Sequence, residues 1–209
     1  MPNYRAPRRD IEFVINEVLD SESLYRDLPG YEEASAELMS AIIDEGAKFA
    51  ENVLSPLNQS GDEEGCQWSE DGVKTPQGFV DAYRQYVEGG WPALSADTAY
   101  GGQGMPSMLG IVLNEMVGTA NWSWLMYPGL SHGCIKTLEA HGSDEQKARY
   151  LPNLVAGNWT GTMCLTESHC GSDLGLLRTR AEPQADGSYA ITGTKIFISA
   201  GEHDMAENI

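Results

Sequence analysis

Positive charge is scarce in this sequence. Lysine and arginine together number 13 against 31 aspartates and glutamates, for a formal net charge of −18. A surface of that sign repels phosphate backbones and anionic lipid, which need a basic footprint, so neither nucleic acid nor membrane is an expected partner. Long apolar runs are missing too, and none approaches the roughly 20 residues that cross a bilayer. Met1 to Asp10 carries Arg5, Arg8 and Arg9, but the stretch after it is amphipathic and broken by Glu12 and Glu17, unlike the apolar core of a signal peptide. Cysteine is sparse: Cys66, Cys134, Cys164 and Cys170 form no CxxC pair and no zinc-ligand spacing. Free thiols in a reducing cytoplasm, and no metal centre, are the expectation.

What is present suits a packed core. Hydrophobic residues make up 41% of the 209 and charged residues 21%, enough for one large domain or one and a half. The first two-thirds reads as helices. Ile11, Val14, Ile15, Val18 and Leu19 make one apolar stripe at helical spacing. A longer helix is predicted from about Ser35 to Leu54, with Leu38, Ile42, Phe49 and Val53 inward and Pro56 as its stop. Asn58 to Ser69 reads as a polar surface loop. Thr75-Pro76 is a candidate helix start, with Phe79, Ala82, Tyr83, Tyr86 and Val87 on the buried side. Pro106 opens a helix carrying Leu109, Val112, Met116 and Val117. Ser143-Asp-Glu-Gln146 is a capping box for one more, ending near Leu154.

From Trp159 the apolar period changes to two. Trp159 to Thr166, Ser188 to Thr192 and Lys195 to Ser199 read as strands, with Asp186-Gly187 as a hairpin turn. Helices first and strands afterwards indicate an α+β chain with segregated parts: a helical domain over 1–157, then the start of an antiparallel β-domain over 158–209. About three strands leave an open edge, which suggests a fragment of a longer protein.

The segment Met163-Cys-Leu-Thr-Glu-Ser-His-Cys-Gly-Ser-Asp173 carries the chemistry. A strand running into Gly171-Ser172-Asp173 supplies several backbone N–H groups in one concavity, which can hold a phosphate without side-chain charge. The same three residues also describe an ordinary turn in which Ser172 or Asp173 caps its own backbone. The larger arrangement narrows the choice. This segment, with Leu177-Arg-Thr-Arg-Ala181 and Ile191-Thr-Gly-Thr-Lys-Ile-Phe-Ile-Ser199, resembles the middle β-domain of acyl-CoA dehydrogenases. The helical part is similar to their N-terminal domain, with Gly101-Gly-Gln-Gly104 and His141-Gly-Ser-Asp-Glu-Gln-Lys147 at matching places. Tyr4-Arg-Ala-Pro7, Arg9-Asp-Ile11, Trp122 to Gly129 and Lys195 to Asp204 resemble the enlarged branch that includes 3-methylmercaptopropionyl-CoA dehydrogenase.

The resemblance implies FAD as cofactor and an acyl-CoA as substrate. Met163, Cys164, Leu165 and Thr166 would lie along the flavin, with the Thr166 hydroxyl near ring atom N5. Phe197, Ile198 and Ser199 would close on the ring from another side; Phe197 keeps the aromatic surface where the family usually has tryptophan, without the indole N–H. Gly171 and Ser172 would meet the pyrophosphate, and Ser172 also the pantetheine arm of the substrate. Ser168 stands where the family commonly has proline. The implied reaction is α,β-dehydrogenation, passing electrons to an electron-transfer flavoprotein or similar acceptor in a cytoplasmic homo-oligomer of fatty acid or dimethylsulfoniopropionate metabolism. The base, a glutamate, belongs to a C-terminal helical domain not in this sequence, so no catalytic residue is assigned. The 209 residues alone are expected neither to hold FAD tightly nor to turn over. A related flavoprotein oxidase and a truncated non-catalytic module remain alternatives.

Other residues invite a role that the chemistry does not support. Glu167 resembles a base by type but reads as a loop support, since geometry comes before identity. His169 has no second ligand at metal spacing and reads as a turn histidine. Cys164 and Cys170 lack a neighbour that would lower a thiol pKa and read as packing residues. Trp122, Trp124, Met126 and Tyr127 form an aromatic cluster, either core packing or part of an acyl pocket.

Overall fold

A computed structural model describes residues 4–209; residues 1–3, the start of the segment Met1 to Asp10, lie outside the described part. The chain opens with α1 (Arg8–Glu12), which widens into a π-helical stretch, Phe13–Val18, and then α2 (Ser21–Arg26). The widened turn alters the predicted stripe. Ile11 and Ile15 are buried, while Val14, Val18 and Leu19 face outward.

The next helix is longer than its sequence suggested. α3 (Ala36–Phe49) starts at a capped Ser35 and runs through a π turn, Ala50–Leu54, directly into α4 (Ser55–Glu64). Pro56 does not stop it. Proline clashes with the carbonyl four residues back, and the wider turn moves that carbonyl aside, so helix resumes. The predicted polar loop Asn58 to Ser69 is therefore mostly the exposed side of α4. The inward face is also set one position later than predicted: Met39, Ile43, Ala47, Ala50 and Leu54 are buried with Phe49, whereas Leu38 is exposed and Ile42 and Val53 are partly covered.

A small antiparallel hairpin follows, β1 (Gln67–Ser69) against β2 (Gly72–Lys74). α5 (Phe79–Glu88) begins after Gly78, not at Thr75-Pro76. The Thr75 hydroxyl and N–H are both engaged by Asp204 Oδ1, at 2.7 and 3.1 Å, so a long-range contact claims the predicted cap. α6 (Ser107–Ala120), α7 (Trp122–His141) and α8 (Asp144–Val155) complete the helical part, the last with the predicted reciprocal Ser143–Gln146 box.

The core lies where α3, α5, α6 and α7 meet. Trp124 is completely buried, its ring against Phe49, Tyr83 and Tyr86 at centroid distances of 5.9, 6.4 and 5.4 Å. Its indole N–H donates to the Phe79 carbonyl at 3.3 Å, so the one polar atom of the ring has a partner. Buried Asn121 accepts the Trp124 N–H and so caps α7 from inside the core.

Beyond α8 the chain is extended but sparsely paired. β3 (Arg180–Pro183) and β4 (Tyr189–Thr192) form the antiparallel hairpin turned by Asp186-Gly187. Trp159 to Thr166 and Lys195 to Ser199, expected as strands, are not ladders. Trp159 makes a single parallel bridge to Asn208, and the Gly161 N–H leaves the pattern to bond Ser131 Oγ on α7 at 3.0 Å. In the second segment Phe197 takes φ 56°, a left-handed conformation that breaks an extended run. Some of the backbone groups find partners outside a ladder, among them Thr160 N–H on the Asn208 carbonyl and Ile196 N–H on that of Thr166, both at 2.9 Å.

Close packing at Gly161 seats this second part on α7, and its last residues tie back to its start. Gly161 lies so close to α7 that a Cβ there would collide with the Cβ of Cys134 and meet its sulfur at 3.0 Å. The last residues fold back: Glu207 N–H donates to the Asn158 carbonyl at 3.1 Å, and Thr160 N–H to that of Asn208 at 2.9 Å. Buried His203 joins them, with Nε2 2.9 Å from Thr160 Oγ1 and Nδ1 accepting the Met205 N–H at 3.2 Å.

Candidate functional site

Met163 to Thr166 and Lys195 to Ser199 run side by side in opposite directions. At one end the Thr162 hydroxyl donates to the Ser199 carbonyl; at the other the Ile196 N–H donates to that of Thr166 at 2.9 Å. A tight turn follows, closed by mutual N–H to carbonyl bonds between Glu167 and Cys170 at 2.9 and 3.1 Å. The paired segments turn apolar side chains outward. Phe197 is 84% exposed and Met163 54%, with Ile198, Leu174 and Leu176 also uncovered.

Glu167 is the anchor of this arrangement. Its side chain is 4% exposed and accepts the N–H groups of Arg178 and Thr179 at 3.0 and 2.9 Å, with the Lys195 ammonium at 2.9 Å. The Thr179 hydroxyl, the Lys195 charge and those two backbone donors together hold its carboxyl far below the usual carboxylate range. Thr179 Oγ1 is itself buried with no hydrogen-bond partner, so the bonds from Lys195 and from the Arg178 and Thr179 N–H groups carry most of that stabilisation. A carboxylate stabilised this way stays ionised and is a poor proton acceptor.

The residues singled out in the sequence divide into two groups. Thr166 and Leu165 are half-buried between the two segments, while Met163, Cys164, Phe197, Ile198 and Ser199 are exposed along them. Gly171 is half-buried beside Thr166 and Ser172 is exposed; among the described residues nothing hydrogen-bonds the Ser172 hydroxyl. Asp173 performs ordinary turn chemistry, accepting the Gly175 N–H at 3.1 Å. Cys170 is buried as expected of a packing residue, whereas Cys164 is open to solvent. Trp124 belongs to the core, Trp122 is exposed, and Tyr127 lies edge-on to His203, 5.2 Å between centroids.

The turn also gathers a local cluster that the sequence reading of His169 passed over. Glu167, His169 and Cys170 offer ligand-type atoms within 4.8 Å of one another. The Glu167 oxygens are already taken, however, and the Lys195 ammonium would oppose a cation; His169 Nε2 sits 3.0 Å from the Leu176 carbonyl. Lys195 itself escaped the sequence reading. A single cation inside Thr194-Lys-Ile-Phe-Ile198 was the available signal, because a charge among apolar residues calls for a buried partner.

Clefts lie elsewhere. One of about 650 Å³ runs between α3 and α5, lined by Phe49, Val53 and Trp91; one of about 530 Å³ is lined by Pro7, Arg8 and Asp44; another of about 460 Å³ is bordered by Tyr31, Thr98 and Lys147. None of these includes a residue of the two segments, whose exposed Met163, Phe197 and Ile198 make the candidate site an open face.

Comparison with known proteins gives the family and the fold. The acyl-CoA dehydrogenase N-terminal domain family matches residues 37–158. The chain is 44% identical over 206 residues to 3-methylmercaptopropionyl-CoA dehydrogenase of Ruegeria pomeroyi, covering 99% of this chain and 35% of that protein. It is 34% identical over 216 residues to a butyryl-CoA dehydrogenase of Syntrophomonas wolfei, covering 99% of this chain and 34% of that one. It thus spans about a third of the length of the curated relatives it matches. Among solved structures, acyl-CoA dehydrogenase of Bacillus anthracis complexed with FAD shares the fold with a TM-score of 0.61 at 23% identity, over 78% of this chain and 26% of that one. The chain is a member of the acyl-CoA dehydrogenase family.

Proposed function

We propose that the chain supplies the helical scaffold, residues 1–157, and the flavin-facing start of the middle β-domain, residues 158–209, of an FAD-dependent acyl-CoA dehydrogenase. One observation carries this reading: an open apolar face (Met163, Phe197, Ile198) beside uncommitted hydroxyls, on a backbone braced by a buried charge pair. A flavin needs an apolar wall that becomes dry on contact and a few donors at its edge, and an exposed apolar face beside free hydroxyls suits both. When bound, FAD supplies the acceptor for the hydride of α,β-dehydrogenation.

In this reading Met163, Cys164, Leu165 and Thr166 form one wall and Phe197, Ile198 and Ser199 the other. The Thr166 hydroxyl reaches the polar edge of the ring. Gly171 and Ser172 meet the pyrophosphate, and Ser172 also the pantetheine arm of the acyl-CoA. Glu167 is excluded as the base because its oxygens are occupied and its basicity is low. The α-proton is then removed by a group outside these residues. The identity with the Ruegeria enzyme favours a short sulfur-containing acyl-CoA, and hence a step in dimethylsulfoniopropionate degradation rather than general fatty acid metabolism. An electron-transfer flavoprotein or similar acceptor, a homo-oligomeric assembly and a cytoplasmic setting complete the proposal. Among the described residues no helix is long and apolar enough to cross a membrane.

Titration of the chain with FAD, followed by flavin fluorescence, tests the cofactor. A weak saturable complex is expected. Thr166→Val and Ser172→Ala should each weaken it by about 2- to 12-fold, the worth of one hydrogen bond at about 0.5–1.5 kcal/mol. Absence of saturation up to millimolar FAD would refute the reading.

A further inference from the structure

Lys195 holds an unusual position for a lysine in so acidic a chain. Its side chain is only 17% exposed, and its ammonium donates to the Leu165 carbonyl and to Glu167 Oε1, both at 2.9 Å. Those acceptors stand one residue to either side of Thr166. The neighbouring Ile196 N–H takes the Thr166 carbonyl at 2.9 Å. Glu167 meanwhile draws in the N–H groups of Arg178 and Thr179, and its own backbone closes the turn with Cys170. Residues 165–167 are thus gripped by the segments at 170, 178–179 and 195–196. Within that grip, no described residue hydrogen-bonds the Thr166 hydroxyl.

A buried ion pair adds little net stability, because desolvation offsets most of the Coulombic gain. What two charge-assisted bonds from one ammonium do well is restrict geometry. We propose that Lys195 is a positioning residue: by bridging Leu165 and Glu167 it sets the direction in which the Thr166 hydroxyl leaves the backbone, and through it the contact with the cofactor. The cofactor part rests on the flavin reading above. The brace itself exists without any ligand, so the two can be tested apart.

Four forms of the chain decide it: wild type, Lys195→Met, Lys195→Arg and the double variant Glu167→Gln/Lys195→Met. The last leaves no buried charge without a partner and keeps the test open if Lys195→Met alone does not fold. Amide hydrogen exchange without cofactor reads the brace, and FAD titration with the visible absorption spectrum reads its consequence. In Lys195→Met, or in the double variant if that one does not fold, the Ile196, Arg178 and Thr179 amides should exchange about tenfold faster or more. FAD should bind about tenfold more weakly or worse, with a blurred flavin band. Lys195→Arg should recover most of both. The double variant should melt within a few degrees of wild type yet regain no FAD affinity, which separates positioning from stability. Unchanged exchange overturns the proposal, as does wild-type FAD affinity in a variant with faster exchange, or Lys195→Arg performing no better than Lys195→Met. If wild type takes up no FAD, the flavin reading falls, and exchange with arginine rescue alone decides the brace.

Discussion

Gly161→Ala should unseat the second part of the chain from the helices. The Gly161 backbone lies against α7, and an added Cβ would collide with the Cβ of Cys134 while meeting its sulfur at 3.0 Å and the Ser131 Cα at 3.5 Å. Two of those three atoms belong to the root of a side chain or to the helix backbone and cannot rotate away, so the extended segment has to move. Overpacking of this kind costs about 1–3 kcal/mol. Moving the segment also stretches the buried bond from the Gly161 N–H to Ser131 Oγ, now 3.0 Å, whose loss costs about 1 kcal/mol more. Together these give roughly 2–4 kcal/mol, or a fall in Tm of about 4–16 °C for a chain of this size. Urea unfolding followed by far-UV circular dichroism measures the first and a thermal scan the second. The contact geometry adds a sharper test. Cys134→Ala removes the sulfur but leaves the colliding Cβ, so Gly161→Ala/Cys134→Ala should recover little. Gly161→Ala/Cys134→Gly should recover most of the loss, less up to about 1 kcal/mol for glycine inside a helix. Wild-type stability in Gly161→Ala, or full rescue by Cys134→Ala, would show that the segment does not rest on α7 as described.

Two further outcomes follow from other parts of the fold. Burial holds the His203 imidazole below its ordinary pKa, partly countered by Asp204, so the folded chain resists protonation there more than the unfolded chain does. That contribution is intact above the unfolded pKa of about 6.5 and is lost as pH falls through the lower folded value. Unfolding free energy should therefore decline from pH 7 toward pH 5, and His203→Gln should flatten part of the slope, with His132, lowered by burial and by Lys136, responsible for the rest. An unchanged slope in the variant would show that His203 is not the buried neutral group. Ser143→Ala removes the hydroxyl that accepts the Gln146 N–H at 3.2 Å and half of the capping box, which should cost about 1 kcal/mol in chemical denaturation.

Local rules went far in this chain. The α8 capping box, the helix opened by Pro106 and the Asp186-Gly187 hairpin are all set by residues within a few positions of one another, and each formed as read. The apolar face of α5 was legible for the same reason. So was the family, because its motifs are strings of adjacent residues. What failed were readings in which a distant group outbid a near one. Thr75 could cap a helix, but Asp204, 129 residues away, took both its donors. Pro56 could end a helix, but burying Leu54 and Ala50 against the core favoured a π turn that carried the helix past it. Trp159 to Thr166 had the alternation of a strand, but its start is held by α7 and the chain's own last residues and its end is paired only sparsely with Lys195 to Ser199. The candidate site divides in the same way. Its residue types were readable in order along the chain, but the grip on Thr166 was not, because it joins residues 165, 167, 178, 179 and 195 through hydrogen bonds that exist only once those segments lie together. Periodicity and capping are properties of neighbours in sequence; pairing a buried charge is a property of neighbours in space, and only the tertiary structure chooses those.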